Sequence, residues 1–141
     1  MYELKVVRER RPGYGQQRSL RTSAEVFAAF RARCEQADRE EFIAVFLDGK
    51  NRLIGFNVVS VGSLTASLVH PREVFKPAIL ANAAALVVVH NHPSGDPTPS
   101  AEDQAITDRL KKAAELLGMS LLDHVVIGDG RYVSFADTGI L

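Results

Sequence analysis

Residues 84–107, AALVVVHNHPSGDPTPSAEDQAIT, constrain this chain more than any other stretch. A continuous apolar run bounded by turn residues reads as a buried strand. That run ends in His90-Asn91-His92. Residues two apart on a strand share a face, at a rise of about 3.3 Å per residue. His90 and His92 are therefore expected to point one way and Asn91 the other. Two imidazoles at that spacing can converge on a single ion, because Zn–N bonds of about 2.0–2.1 Å suit the reach.

A helix start supplies a third group. Ser100 is an N-cap residue by pattern, and Asp103 falls in the first turn that follows. The helix N-terminal dipole favours Asp103 as an anion, the form in which it would ligate. Between strand and helix, Pro93, Pro97 and Pro99 restrict φ, and Gly95 permits a sharp reversal, so the loop can fold the helix start back over the strand end. Ser100 and Asp103 alone also read as a capping box, and the two roles are compatible. Two histidines and one carboxylate leave a tetrahedral ion one open position, which is the mark of a catalytic zinc rather than a structural one.

His90-Asn-His92-Pro93, Gly95, Pro99-Ser100 and Asp103 together closely resemble the JAMM (MPN) metalloprotease signature, His-x-His-x10-Asp with an internal Pro-Ser. The wording HNHPSGDPTPS resembles one branch, the RadC-like JAB domains, and the likeness runs from about Arg39 to Leu141 through VHPREVFKPAILANAAALVVVHNHPSGD, LLDHVVIGDGRYVSF and TGIL. The resemblance implies an α/β fold of the cytidine-deaminase-like (JAB/MPN) kind, a curved mixed β-sheet flanked by helices. It also implies one Zn²⁺ per chain, held by His90, His92 and Asp103. In the RadC-like pattern the catalytic acid precedes the first core strand as Arg-Glu-x-Phe, and Arg39-Glu40-Glu41-Phe42 stands in that register. Glu40 is thus the general base by resemblance, with Glu41 facing the opposite side of the strand. A solvated approach to the strand is the alternative reading of both glutamates. Ser100 is the oxyanion donor, again by resemblance.

The rest of the chain predicts one α/β domain: an N-terminal strand, basic loop and helix over residues 1–38, then a metal-binding core over 39–141. Residues 4–9 read as a short strand and 10–18 as a loop. Thr22-Ser-Ala-Glu25 opens a helix over 23–37 whose apolar stripe includes Val26, Phe27, Phe30 and Cys34. Residues 42–47 and 53–59 form a hairpin about Asp48-Gly49-Lys50-Asn51, and 63–69 a third strand. A helix follows from Pro71 to about 82, with Pro77 predicting a kink or a late start. The helix over 101–117 closes at Gly118. Residues 121–127 and 131–135 make a second hairpin.

His70 suits a helix start better than a ligand position, and Arg72 a local pairing. His124 reads as a hydrogen-bonded core histidine, and Asp123 as a candidate partner for a ligand imidazole. Cys34, the only cysteine, is a core or surface thiol.

Composition narrows the function classes. With 17 basic and 17 acidic residues, the chain lacks the overall positive charge of a nucleic-acid binder. Only the first 21 residues depart from balance, with six basic side chains against Glu3 and Glu9. No apolar run nears the ~20 residues of a membrane span. MYELKVVRERRPG lacks a signal-peptide core, so cytoplasmic residence is expected and no membrane partner. The leading expectation is a zinc metallopeptidase acting on a peptide or protein substrate, at peptide or isopeptide bonds. Two other readings are a DNA-associated accessory protein and a non-catalytic binding scaffold. The helix-hairpin-helix module of longer RadC-like proteins is missing from this sequence, which weakens the DNA role. The complete His-His-Asp-Ser set weakens the scaffold.

Overall fold

The structure is a computed structural model that describes residues 1–5, 7, 9, 18–62 and 69–141. Its elements are α1 (Ser23–Gln36), β1 (Glu41–Leu47), β2 (Leu53–Val61), α2 (Pro71–Leu80), β3 (Ala85–Asn91), α3 (Ala101–Leu116), β4 (Ser120–Ile127) and β5 (Tyr132–Ser134). The five strands form a mixed sheet in the order β2-β1-β3-β4-β5. Only β3 and β4 run parallel, with α3 as their crossover.

Period-two alternation decides which helix covers which face. Phe42, Ala44 and Phe46 of β1 join Leu86 and Val88 of β3 in a cluster with α2 and with Ile106, Leu110 and Ala114 of α3. The intervening Ile43, Val45, Leu47, Val87 and Val89 pack against Val26, Phe30 and Cys34 of α1. Both faces of β1 and β3 are therefore covered, which is why their sequences are apolar at nearly every position. This is the mixed α/β sheet with flanking helices that the sequence leads one to expect.

Local chemistry sets the helix ends. The Thr22 hydroxyl and the Glu25 carboxylate cap α1 reciprocally, as a capping box. His70 caps α2, its Nδ1 accepting from the Arg72 amide at 3.0 Å, with Pro71 at the first helical position. The α2 helix starts there rather than late and continues through Pro77. It stops at Leu80, short of 82, because Asn82 turns into the left-handed region (φ 55°).

Leu4, Lys5, Val7 and Glu9 lie exposed and outside any strand, against the short strand expected there; residues 6 and 8 lie outside the described residues, as does most of the basic loop. Residues 63–68 of the expected third strand also lie outside the described residues. Val69 sits in a bend, buried in the core. Among the described residues, no helix is long and apolar enough to cross a membrane.

Candidate metal centre

The strand β3 ends where α3 begins, and the loop between them brings three ligand-type side chains together. His90 Nε2 lies 2.9 Å from His92 Nε2 and 3.3 Å from Asp103 Oδ1. His92 Nε2 lies 3.3 Å from Asp103 Oδ2. A tetrahedral ion with bonds of about 2.0–2.1 Å separates its ligand atoms by about 3.3 Å. The arrangement therefore fits a single divalent ion, and among the described residues it is the one group of three or more ligand-type side chains so placed. His90 and Asp103 are buried, while His92 is partly open to solvent, so an ion held there keeps access from one side.

Each ligand is oriented from behind. His92 Nδ1 donates to the Asp96 carbonyl at 2.7 Å, which leaves Nε2 bare. Asp103 Oδ2 accepts from the Ser100 amide at 2.8 Å while Ser100 Oγ accepts from the Asp103 amide at 3.1 Å. The capping box thus pins the carboxylate, and the Ser100 hydroxyl keeps its own proton to donate. His90 Nδ1 contacts His124 Nε2 at 2.7 Å, and His124 Nδ1 contacts Thr107 Oγ1 at 2.6 Å. His124 is fully buried between Phe42 and Phe135, and burial pushes its pKa well below the usual imidazole value.

The charges support an anionic Asp103 beside basic nitrogens. Burial would raise the Asp103 pKa, but the two imidazoles that face it, His90 and His92, outweigh burial and hold the carboxyl well below the usual range. The hydrogen bond that protonated His92 donates to Asp103 raises the His92 pKa against burial, helped by the Asp96 carbonyl and by the charges of Asp103 and Glu40. Folded-state protonation of His92 therefore stabilises the metal-free chain fully below about pH 6.5, and that contribution fades as pH rises through the raised value. Asp103 contributes above about pH 3.9 and loses its contribution as pH falls. The proton on His92 occupies the nitrogen an ion would take. Metal affinity is accordingly expected to climb between about pH 6 and 8, approaching tenfold per unit where His92 is still protonated. A chelator-competition titration across that interval checks it, and a flat profile contradicts it.

The loop under His92 rests on the β4–β5 turn. The Asp129 amide donates to the Gly95 carbonyl, and the His92 amide to the Ile127 carbonyl, both at 2.9 Å. A Cβ at Gly128 would collide with the Gly95 carbonyl oxygen and lie 2.8 Å from Pro97 Cδ, so this contact requires glycine. Gly128→Ala is expected to lower stability by about 1–3 kcal/mol. By displacing Gly95, and with it the adjoining Asp96 carbonyl that orients His92, it should also weaken metal binding about tenfold or more. Thermal denaturation and metal titration read the two effects separately.

Glu40 immediately precedes β1, whose start lies beside the end of β3. With Arg39, Gly62 and Pro93 it lines an open cleft. Glu41 turns the other way and pairs with Arg33 of α1 at 3.1 Å. Asn91, buried and facing away from the ligand histidines, clamps the backbone on both sides of Glu40: its Oδ1 accepts from the Glu41 amide at 2.8 Å and its Nδ2 donates to the Arg39 carbonyl at 2.9 Å. Asp123 touches no ligand imidazole. It accepts from Ser134 Oγ and from the Ala136 and His124 amides, closing the end of β5 instead. His70 and Arg72 stay local to α2. Sequence pattern puts Asn91 on the face opposite the ligands without giving it a role, and it gives no role at this site to Thr107 or to the glycine at 128. The signal for Asn91 was its place between the two ligands, on the face toward β1.

Comparison with known proteins gives the family. The family model described as "RadC-like JAB domain" matches residues 20–140. The UPF0758 protein of Syntrophotalea carbinolica is 57% identical over 116 residues, covering 82% of this chain and 51% of the relative. The UPF0758 protein of Methanosarcina acetivorans is 49% identical over 124 residues, covering 88% and 54%. The chain spans about half the length of the curated relatives it matches.

Proposed function

Because the chain belongs to the RadC-like JAB domain family, we propose that it is a zinc-dependent hydrolase of peptide or isopeptide bonds. The observation that carries this reading is the convergence of His90, His92 and Asp103 at about tetrahedral separations beside an open cleft that Glu40 lines. Zinc is the ion that best suits two imidazoles and one carboxylate with a position left open. When bound, it lends Lewis acidity to a carbonyl oxygen and eases deprotonation of water near neutral pH.

The chain's own residues supply the rest. Glu40, held by its Asn91-clamped neighbours, accepts the proton of the attacking water and returns it to the leaving amine. The Ser100 hydroxyl, free to donate, stabilises the oxyanion of the tetrahedral intermediate. A protein or peptide substrate fits the open cleft better than a small molecule, since small ligands favour enclosed pockets.

The test is substrate profiling. Zinc-loaded protein is incubated with a broad peptide library and with isopeptide-linked conjugates, and the Glu40→Gln chain is used to trap bound material for mass spectrometry. Cleavage that a chelator abolishes and zinc restores supports the reading. A fully metal-loaded chain inert toward both pools, while Glu40→Gln retains every partner that the unsubstituted chain binds, identifies a scaffold instead.

A further inference from the structure

His92 takes its orientation from a backbone carbonyl, but His90 takes its own from a second histidine, and a histidine can donate or accept. The ambiguity is resolved from the far end. Thr107 Oγ1 lies 2.8 Å from the Asp103 carbonyl oxygen, which can only accept, so the hydroxyl proton is committed there. The contact of 2.6 Å between Thr107 Oγ1 and His124 Nδ1 must then be donated by His124. His124 is wholly buried and its ring touches no carboxylate, so it stays neutral and its Nε2 carries a lone pair. That lone pair accepts from His90 Nδ1.

We propose that His124 and Thr107 are positioning residues that hold the His90 proton on Nδ1 and so present a bare Nε2 to the metal. The path leaves the Asp103 main chain, crosses from α3 to β4 and ends at His90 on β3, whose bare Nε2 stands 3.3 Å from the Asp103 carboxylate. The His90 ring is thereby tied to the main chain of Asp103 by one relay of hydrogen bonds before any ion arrives. Such ordering removes the cost of selecting a tautomer on binding. A packing role between Phe42 and Phe135 alone would not require Thr107 to be a hydroxyl residue.

The inference rests on the metal-binding reading of His90, yet its first measurement needs no metal. Long-range ¹⁵N–¹H spectra of the metal-free chain at mildly alkaline pH should show both His90 and His124 protonated on Nδ1. Thr107→Val, close in shape, should disturb that pattern and raise the zinc Kd about 10–100-fold, while Thr107→Ser stays within about threefold of the unsubstituted chain. His90 protonated on Nε2 in the unsubstituted chain overturns the proposal. So does an unchanged zinc Kd in Thr107→Val, or an equal loss in Thr107→Ser. An unsubstituted chain that binds no zinc defeats the metal reading, and the spectra still decide the tautomer.

Discussion

Replacing Asp103 with asparagine is expected to lower zinc affinity by roughly three orders of magnitude while leaving the fold intact. The Asp103 carboxylate is the only anion among the three ligands and faces both imidazoles at 3.3 Å. Removing its charge takes away a bond to the ion and the field that holds the two nitrogens toward one point. Asparagine preserves the reciprocal cap with Ser100, so α3 should keep its N-terminus. Asp103→Ala loses the same metal bond and also the cap, which adds about 0.5–2 kcal/mol of destabilisation in the metal-free chain. Elemental analysis after purification without chelator, chelator competition and thermal denaturation separate the two variants. About one zinc per chain retained by Asp103→Asn would contradict the assignment of the ligand.

That ligand was legible because its signal is local. His90 and His92 are placed by the two-residue period of β3, Asp103 by the first turn of α3, and the turn between them by Pro93, Gly95 and Pro99. Long-range partners leave no such mark. His124 reads as a core histidine, and its burial agrees, but nothing in the order of residues says that it meets His90, 34 positions earlier. Asp123 next to it is an equally good textual candidate for orienting a ligand, and the structure gives it to Ser134 and Ala136 instead. The alternation along β4 explains the exchange. Adjacent residues point to opposite faces, and the His124 face is the one that α3 covers. The sheet order was no more accessible. Placing β1 between β2 and β3, and β4 parallel to β3, depends on which apolar faces find each other after collapse.

The choice between two adjacent glutamates has the same physical basis and gives the second large effect. Glu40→Gln is expected to reduce kcat by about 10²–10⁴-fold with zinc stoichiometry and affinity unchanged, because a carboxamide cannot take the proton of water. Glu41→Gln should leave turnover near that of the unsubstituted chain. Its side chain lies against α1, where the pair with Arg33 is partly exposed and contributes at most about 1 kcal/mol. Asn91 makes the distinction geometric, for it grips the Glu41 amide and the Arg39 carbonyl and so fixes which side of the strand each glutamate occupies. Cleavage of whichever substrate the profiling yields, measured for both variants beside metal content, decides the matter. Equal losses in the two would mean that the negative charge at the start of β1 acts as a pair; a loss confined to Glu41→Gln would move the base to the α1 face, where no ligand of the metal centre reaches.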